Sequence, residues 1–312
     1  MSQTPVSIGA TQTAVTGAPL AKTEAPWKRI VAEFAESKLA MLGLVLLVLM
    51  IGASLIASFI SPQDPYDLAK LDIMDARLPP GEMSGEGFAF LLGSDGQGRD
   101  MLSAMLYGLR ISLMVGVVSV VVALAIGSIA GLLAAYSGGK VDALIMRFVD
   151  IQLSFPAILI ALILLAVLGN GVDKVIFALV AVQWAYFARA AHGAALVERN
   201  KEYIEAARCL GISRMRMLLK HLLPNCLPPL IVIATINIAR AITLEATLSF
   251  LGLGVPVTEP SLGMLISNGF DYLLSGVYWI SLFPGIVLTV VIIAINLVGD
   301  QLRDVLNPRL KR

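Results

Sequence analysis

Residues 202–225 read EYIEAARCLGISRMRMLLKHLLPN, a charged, helix-forming island between two long apolar runs. Tyr203, Ala206, Ala207 and Leu210 fall at i, i+3, i+4 and i+7, and Lys201, Glu205 and Arg208 share the opposite face. This spacing predicts a short amphipathic helix over 202–210. Gly211 ends it, because glycine accepts the left-handed conformation that a helix C-terminus commonly adopts. Ser213 is placed to cap a second helix carrying Arg214, Arg216 and Lys220, and Pro224 is expected to end that one. The product is helix, bend and helix at a membrane surface, a shape that suits docking into another protein's groove. Charge alone also allows a cationic amphipathic segment resting on anionic lipid.

The surroundings of this island set the compartment. Of 312 residues, 57% are hydrophobic and 14% charged, and the mean hydropathy is +0.83. Too little polar surface remains for an ordinary soluble domain, so the chain lives in a bilayer. Its formal net charge of +1 says nothing about partners; the distribution of charge matters more. Cys209 and Cys226 are the only cysteines, which argues against a disulfide framework or a zinc site.

About 20 apolar residues cross a bilayer, and six runs qualify, near residues 39–60, 111–136, 143–168, 175–195, 228–248 and 280–299. The third contains Pro156 together with Arg147 and Asp150, whose i, i+3 spacing predicts a neutralising ion pair. The fourth contains Arg189 and the fifth Arg240 and Glu245. Ionisable residues inside spans face protein or water and mark a translocation path or helix pairing. Arg240 and Glu245 are five residues apart, about 140° around a helix, so they occupy different faces. Glu245 is expected to meet a donor from a partner chain or water in the path.

Lysine and arginine cluster on one side of this arrangement, at Lys28, Arg29, Lys38, Lys140, Arg147, Arg189 and throughout 199–220, which makes that side the cytoplasm. Both termini then lie inside, and 202–225 faces the cytoplasm. Residues 61–110 form an acidic, proline-rich external loop, with 101–110 a helix leading into the second span. Residues 251–279 form a second external segment, and the two are candidates for a docking surface. Residues 1–26 are low in apolar periodicity and are expected to be a disordered cytoplasmic tail. Residues 27–60 then comprise an interfacial helix and the first span, 111–300 a five-helix core that includes the loop 198–225, and 301–312 a cytoplasmic tail.

Several stretches imitate chemistry without completing it. Residues 95–100 superficially resemble a calcium loop, but Arg99 occupies a ligand position and the distal glutamate is missing. Gly138-Gly139-Lys140 lacks the leading glycine and the following hydroxyl of a phosphate loop. His192 and His221 have no second ligand at metal or triad spacing. No catalytic residue, metal or cofactor is expected, and the chain is not read as an enzyme.

Glu205-Ala206-Ala207, Gly211 and Leu223-Pro224, at their observed spacing, resemble the signature loop of importer-type ABC transporter permeases. His221 to Asn225 narrows the resemblance to the dipeptide and oligopeptide branch. Residues 92–102, 136–156, 245–254 and 296–308 are similar to that branch as well. The resemblance implies an all-α polytopic membrane protein with six transmembrane helices and a cytoplasmic coupling-helix loop, of the type I importer kind. It assigns ATPase coupling to Glu205, Ala206, Ala207, Gly211, Leu223 and Pro224. It further implies a homologous permease partner, two cytoplasmic ATP-binding subunits, an extracytoplasmic solute-binding protein and import of di- or oligopeptides across the cell inner membrane. The alternative is a stand-alone secondary transporter or channel using Asp150, Arg240 and Glu245 for ion coupling.

Overall fold

Where lipid offers no hydrogen-bond partners, apolar runs of this length must satisfy their backbone internally and fold as helices. The computed structural model describes residues 26–67, 71–85, 87–256 and 258–306. These are mostly helical: α1 (Pro26–Glu36), α2 (Lys38–Leu55), α3 (Ala57–Ile60), α4 (Met101–Ser137), α5 (Gly139–Leu153), α6 (Ala157–Leu168), α7 (Val172–Glu198), α8 (Glu202–Cys209), α9 (Arg214–Arg216), α10 (Leu223–Phe250), α11 (Leu262–Phe270) and α12 (Trp279–Leu306). The expected tail at 1–26 lies outside the described residues except for Pro26, and residues 301–306, expected in the C-terminal tail, continue α12.

Five helical segments are long and apolar enough to cross a membrane: α2, α4, α7, the segment Arg214–Phe250 and α12. The pair α5 and α6, bent by 87°, makes a sixth. The Arg199 guanidinium, just past α7, donates to the Ala135 carbonyl near the end of α4, so these two helices finish side by side. At the other end, Asn170 Nδ2 donates to the Gly252 carbonyl at 3.3 Å and the Gly171 amide to Gly254 at 3.4 Å. The turn between α6 and α7 therefore lies beside the end of α10. At 1.5 Å per residue α7 separates these two ends by about 40 Å, so α5 and α6 together traverse the bundle once. Pro156 causes the bend, because it donates no amide hydrogen and disfavours helical backbone at the residue before it.

The α4–α7 seam is the tightest contact in the bundle. In a bilayer, helices gain little by leaving one apolar solvent for another, and association depends on close packing at small residues. A Cβ at Gly127 would stand 2.3 Å from the Trp184 carbonyl oxygen, and one at Gly131 2.2 Å from that of Ala188. The four-residue steps on both helices run in the same direction, so α4 and α7 are parallel. Ala123 and Ala135 of α4 and Ala188, Ala191 and Ala195 of α7 are fully buried and extend the small-residue packing.

Elsewhere polar side chains complete the helix ends. Asp100 caps α4, accepting from the Ser103 amide at 2.7 Å. Arg110 donates through Nε to the Ser54 carbonyl at 3.0 Å and through Nη2 to that of Leu55 at 2.9 Å. It thereby satisfies the terminal carbonyls of α2, which would otherwise be orphaned.

Pro224 does not end a helix as expected. Helical backbone continues from Arg214 through a widened π turn at Met217–Leu222 into α10, with Pro224 in its first turn. Its missing amide hydrogen falls beside the π turn, where the regular i→i−4 bonding is already interrupted. Asn225 Nδ2 donates to the His221 carbonyl at 2.7 Å and serves an acceptor that the widened turn exposes.

Gly131→Ala should destabilise the purified protein by about 1–3 kcal/mol through overpacking. Gly193→Ala on α7, where a Cβ meets nothing within 4 Å, should be neutral or slightly stabilising through helix propensity. Equal melting temperatures for the two variants in detergent would contradict the seam.

Candidate functional site

The island at 202–225 folds as two short helical pieces on the end of the bundle where α4 and α7 finish. Lys201 at the N-cap has extended backbone and no side-chain capping bond, so α8 is held by packing. Its buried face is not the predicted apolar stripe. Ile204 and Ala207 point inward and join Leu132 and Ala135 of α4, Ala191 and Ala195 of α7, and Met217, Leu218 and Leu222 of the π turn. Tyr203, Leu210, Met215 and Leu219 are exposed, as are Glu205 and Ala206. The helix pair thus packs one face against the bundle and leaves apolar residues exposed on the other.

Gly211 has φ of +71°, and its amide donates to the Arg208 carbonyl at 3.0 Å, so it forms the left-handed C-terminal stop that the sequence predicts. Ser213 stands at the start of α9 but makes no side-chain capping bond. Of the predicted coupling residues, Glu205, Ala206 and Gly211 thus share the outer surface, and Ala207 is turned into the bundle. Leu223 is half-buried against the same cluster, and Pro224 is exposed at the start of α10.

Glu198, the last residue of α7, joins the island to the spans. Lys201 Nζ lies 2.6 Å from its Oε1, and the Tyr203 hydroxyl donates to its Oε2 at 2.8 Å. Burial, followed by the hydrogen bond and charge of Glu198, pushes the Tyr203 phenol up to about 12. Tyr203 is therefore neutral, and a donor, throughout the physiological range. The Arg208 guanidinium sits 5.9 Å from the Tyr136 ring centroid at the end of α4, a cation–π contact on the other flank.

Glu198 also lines an open cleft of about 1000 Å³ between α7, α10 and α12, together with Arg189, Asn225, Pro228, Pro229 and Arg303. A second hollow of about 440 Å³ lies deeper, lined by Arg240, Thr243, Thr247 and Asn296 among apolar neighbours. Ile236 borders both, so the two form one groove along α10 and α12.

The intramembrane residues divide. Asp150 pairs with Arg189 of α7, not with Arg147, which corrects the predicted intrahelical pair: a bond between helices α5 and α7 takes the carboxylate, and Arg147 is exposed. Nearby, His192 Nε2 lies 2.8 Å from Asp142 Oδ1, a second link from α7 to α5. Glu245 is fully buried and accepts from Ser112 of α4 at 2.9 Å and from Ser249 at 2.8 Å. Its donors belong to its own chain, so the expected partner-chain or water donor is corrected. The serines were not singled out in the sequence because a lone serine in an apolar helix carries no periodic signal. Arg240, on the other face of α10, is exposed.

At the opposite end, the acidic loop folds into an ordered knot. Asp95 Oδ1 accepts from the amides of Gln97 at 2.7 Å and Arg99 at 3.0 Å, and Arg99 Nε lies 3.8 Å from Asp95 Oδ2. Burial pushes the Asp95 and Asp100 carboxyls up and the Arg99 guanidinium down. The Ser94 carbonyl accepts from Trp279 Nε1 at 3.1 Å, and Arg77 lies 5.1 Å from the Tyr272 ring centroid. The segments expected to be external are thereby joined into one surface.

A bundle of this kind, with a docked helix pair at one end and a groove leading inward, defines a transport permease. The chain belongs to the family of binding-protein-dependent transport system inner membrane components, whose model matches residues 123–312. Residues 25–80 match the N-terminal transmembrane domain of oligopeptide transport permease C. It is 37% identical over 286 residues to the di/tripeptide transport system permease protein DppC of Pseudomonas aeruginosa, covering 92% of this chain and 93% of that one. Against the dipeptide transport system permease protein DppC of Escherichia coli K12 it is 39% identical over 303 residues, covering 97% and 99%. Among solved structures it is similar to the inward-facing MetNI methionine ABC transporter, with a TM-score of 0.54 and 24% identity, covering 66% of this chain and 97% of that one. That likeness supports the fold.

Glu245→Ala should strip the acceptor from two buried hydroxyls, costing about 1–3 kcal/mol, and lower the melting temperature in detergent. Glu245→Gln, which retains an acceptor, should fall between. Unchanged melting in Glu245→Ala would show that the serine bonds do not hold α10 to α4.

Proposed function

We propose that the chain forms half of the translocation path of an ATP-driven importer of dipeptides and similar short peptides, in the inner membrane with both termini cytoplasmic. The observation that carries this reading is the two-faced helix α8. Its inner face is packed into the same cluster as α4, α7 and the π turn, while Tyr203 and the C-cap residue Leu210 face outward. A groove in a cytoplasmic ATPase would receive that outer face. Coverage above 90% of two permeases named for di- or tripeptide transport supports the substrate class.

The mechanism follows from packing. When ATP closes the ATPase pair, α8 moves with it, and because Ile204 and Ala207 are buried among α4, α7 and α10, the helix ends move too. Glu198 sits at both α8 and the groove mouth, so the displacement reaches the place where the cytoplasmic gate would open. The partner permease covers the open side of the groove, and the joined external surface of 61–100 and 251–279 receives the solute-binding protein. A stand-alone carrier would need free carboxylates for a coupling ion, and two of its candidates are engaged: Asp150 by Arg189 and Glu245 by serines.

Glu205→Lys should leave the protein inserted and folded but abolish uptake by reversing charge at the ATPase contact. Gly211→Val should do the same by forcing a β-branched residue into left-handed backbone, which costs about 1–2 kcal/mol. Near-normal uptake in both variants of the reconstituted complex would rule out this docking role.

Topology is open to direct labelling. In a Cys209→Ser background, an impermeant thiol reagent applied to spheroplasts should modify Gly85→Cys and leave Lys140→Cys untouched. The reverse pattern would invert the orientation.

A further inference from the structure

We infer that Arg240 receives the terminal carboxylate of the transported peptide inside the membrane, an inference that rests on the peptide-import reading. Ten residues separate Arg240 from the end of α10 at Phe250, about 15 Å of helix, which is half the thickness of a hydrocarbon core of about 30 Å. An ionised guanidinium at that depth is costly against lipid and belongs in a water-filled or protein-lined path. Arg240 is exposed, and it faces the deeper part of the groove.

Its charge has no counterion among the described residues. Glu245, on the same helix, is turned away and bonded to Ser112 and Ser249, and Asp150 is held by Arg189. The stripe around Arg240 is complementary to the rest of a peptide. Thr243 and Thr247 follow at i+3 and i+7 and line the same hollow. Their hydroxyl hydrogens are spent within the helix, on the carbonyls of Ala239 at 2.9 Å and Thr243 at 2.8 Å. What they offer the groove is acceptor lone pairs, and Asn296 of α12 adds an amide.

The wall thus presents a cation, then acceptors about 4.5 and 10.5 Å further along the helix axis. A dipeptide is an anion and a cation separated by at most about 7 Å of extended chain. With its carboxylate on the guanidinium in the bidentate geometry arginine favours, a dipeptide's amide and ammonium hydrogens come within range of the nearer acceptor, Thr243, and Thr247 serves longer peptides. This chain alone supplies a hollow of about 440 Å³, open on the side that the partner permease would close. Side chains such as Leu244 and Ile292 supply apolar wall without selecting a sequence. Release toward the ATPase end runs past Ile236 into the wider cleft.

The test uses the whole reconstituted complex, with permease pair, ATPases and binding protein in proteoliposomes, and radiolabelled alanyl-alanine as the probe. Wild type must import it; if it imports no dipeptide, the peptide-import reading falls and takes this inference with it. Given import, Arg240→Gln should reduce uptake at least about tenfold, the loss expected from a charge-assisted hydrogen bond. Subunit assembly and stimulation of ATP hydrolysis by the binding protein should be retained, and Arg240→Lys, which keeps the charge but not the two-pronged fit, should recover part of the uptake. In the Cys209→Ser background, Arg240→Cys should regain uptake after aminoethylation, which restores a cation, and not after sulfonatoethylation. Three results would overturn the assignment: uptake by Arg240→Gln within twofold of wild type, rescue by the anionic adduct equal to that by the cationic one, or dissociation of the complex in Arg240→Gln. The last would place Arg240 against a carboxylate of the partner permease.

Discussion

The close approach of α4 and α7 is the constraint on which the rest of this bundle depends. Lipid gives two apolar helices no reason to leave it, so their contact must come from dispersion at a short interaxial distance. Gly127 and Gly131 permit that distance because a Cβ at either would overlap the α7 backbone. Once the two helices run parallel in contact, their C-terminal ends lie together, and the bond from Arg199 to Ala135 closes that end. The platform so formed is what α8 sits on. A displacement of α8 that a loose pair of helices would absorb is passed on by a seam packed this closely.

Polar residues within the spans serve two opposed ends, and their partners separate them. Glu245, Ser112 and Ser249 form a closed set, all buried and all within one chain, which pins α10 to α4 and to the turn that follows it. Buried polar groups of this sort specify one arrangement of helices because every alternative leaves a donor or acceptor unmatched. Arg240 belongs to the other kind, exposed to a groove and without a counterion among the described residues. The same helix therefore turns one polar face into the packed core and another toward the groove, about 140° apart.

The bent pair α5 and α6 and the π turn before α10 are the places where this framework departs from regular helix. Pro156 interrupts one and the widened turn at Met217–Leu222 the other, and broken or π-helical backbone recurs where helices flex or carry function. Both flank the groove: Ala157 borders its deeper part, and Asn225 its mouth.

The sequence by itself determined the class of protein. Apolar runs of spanning length, separated by turn residues, admit little but helices in a bilayer, and Gly211 marks the end of α8 because a left-handed stop favours glycine. Local rules sufficed there, since each concerns residues within one or two turns of one another. Which face of α8 is occupied, which carboxylate pairs with which cation, and where the groove runs were decided only in the folded chain. Asp150 has an arginine three residues before it, yet it binds one 39 residues away, because helix packing brings α7 closer than the neighbouring turn. Glu245 likewise has no local signal for Ser112, 133 residues earlier. Pairings across helices depend on rotation about each axis, and that rotation is fixed by the packing of small residues along the entire seam, which no local stretch encodes.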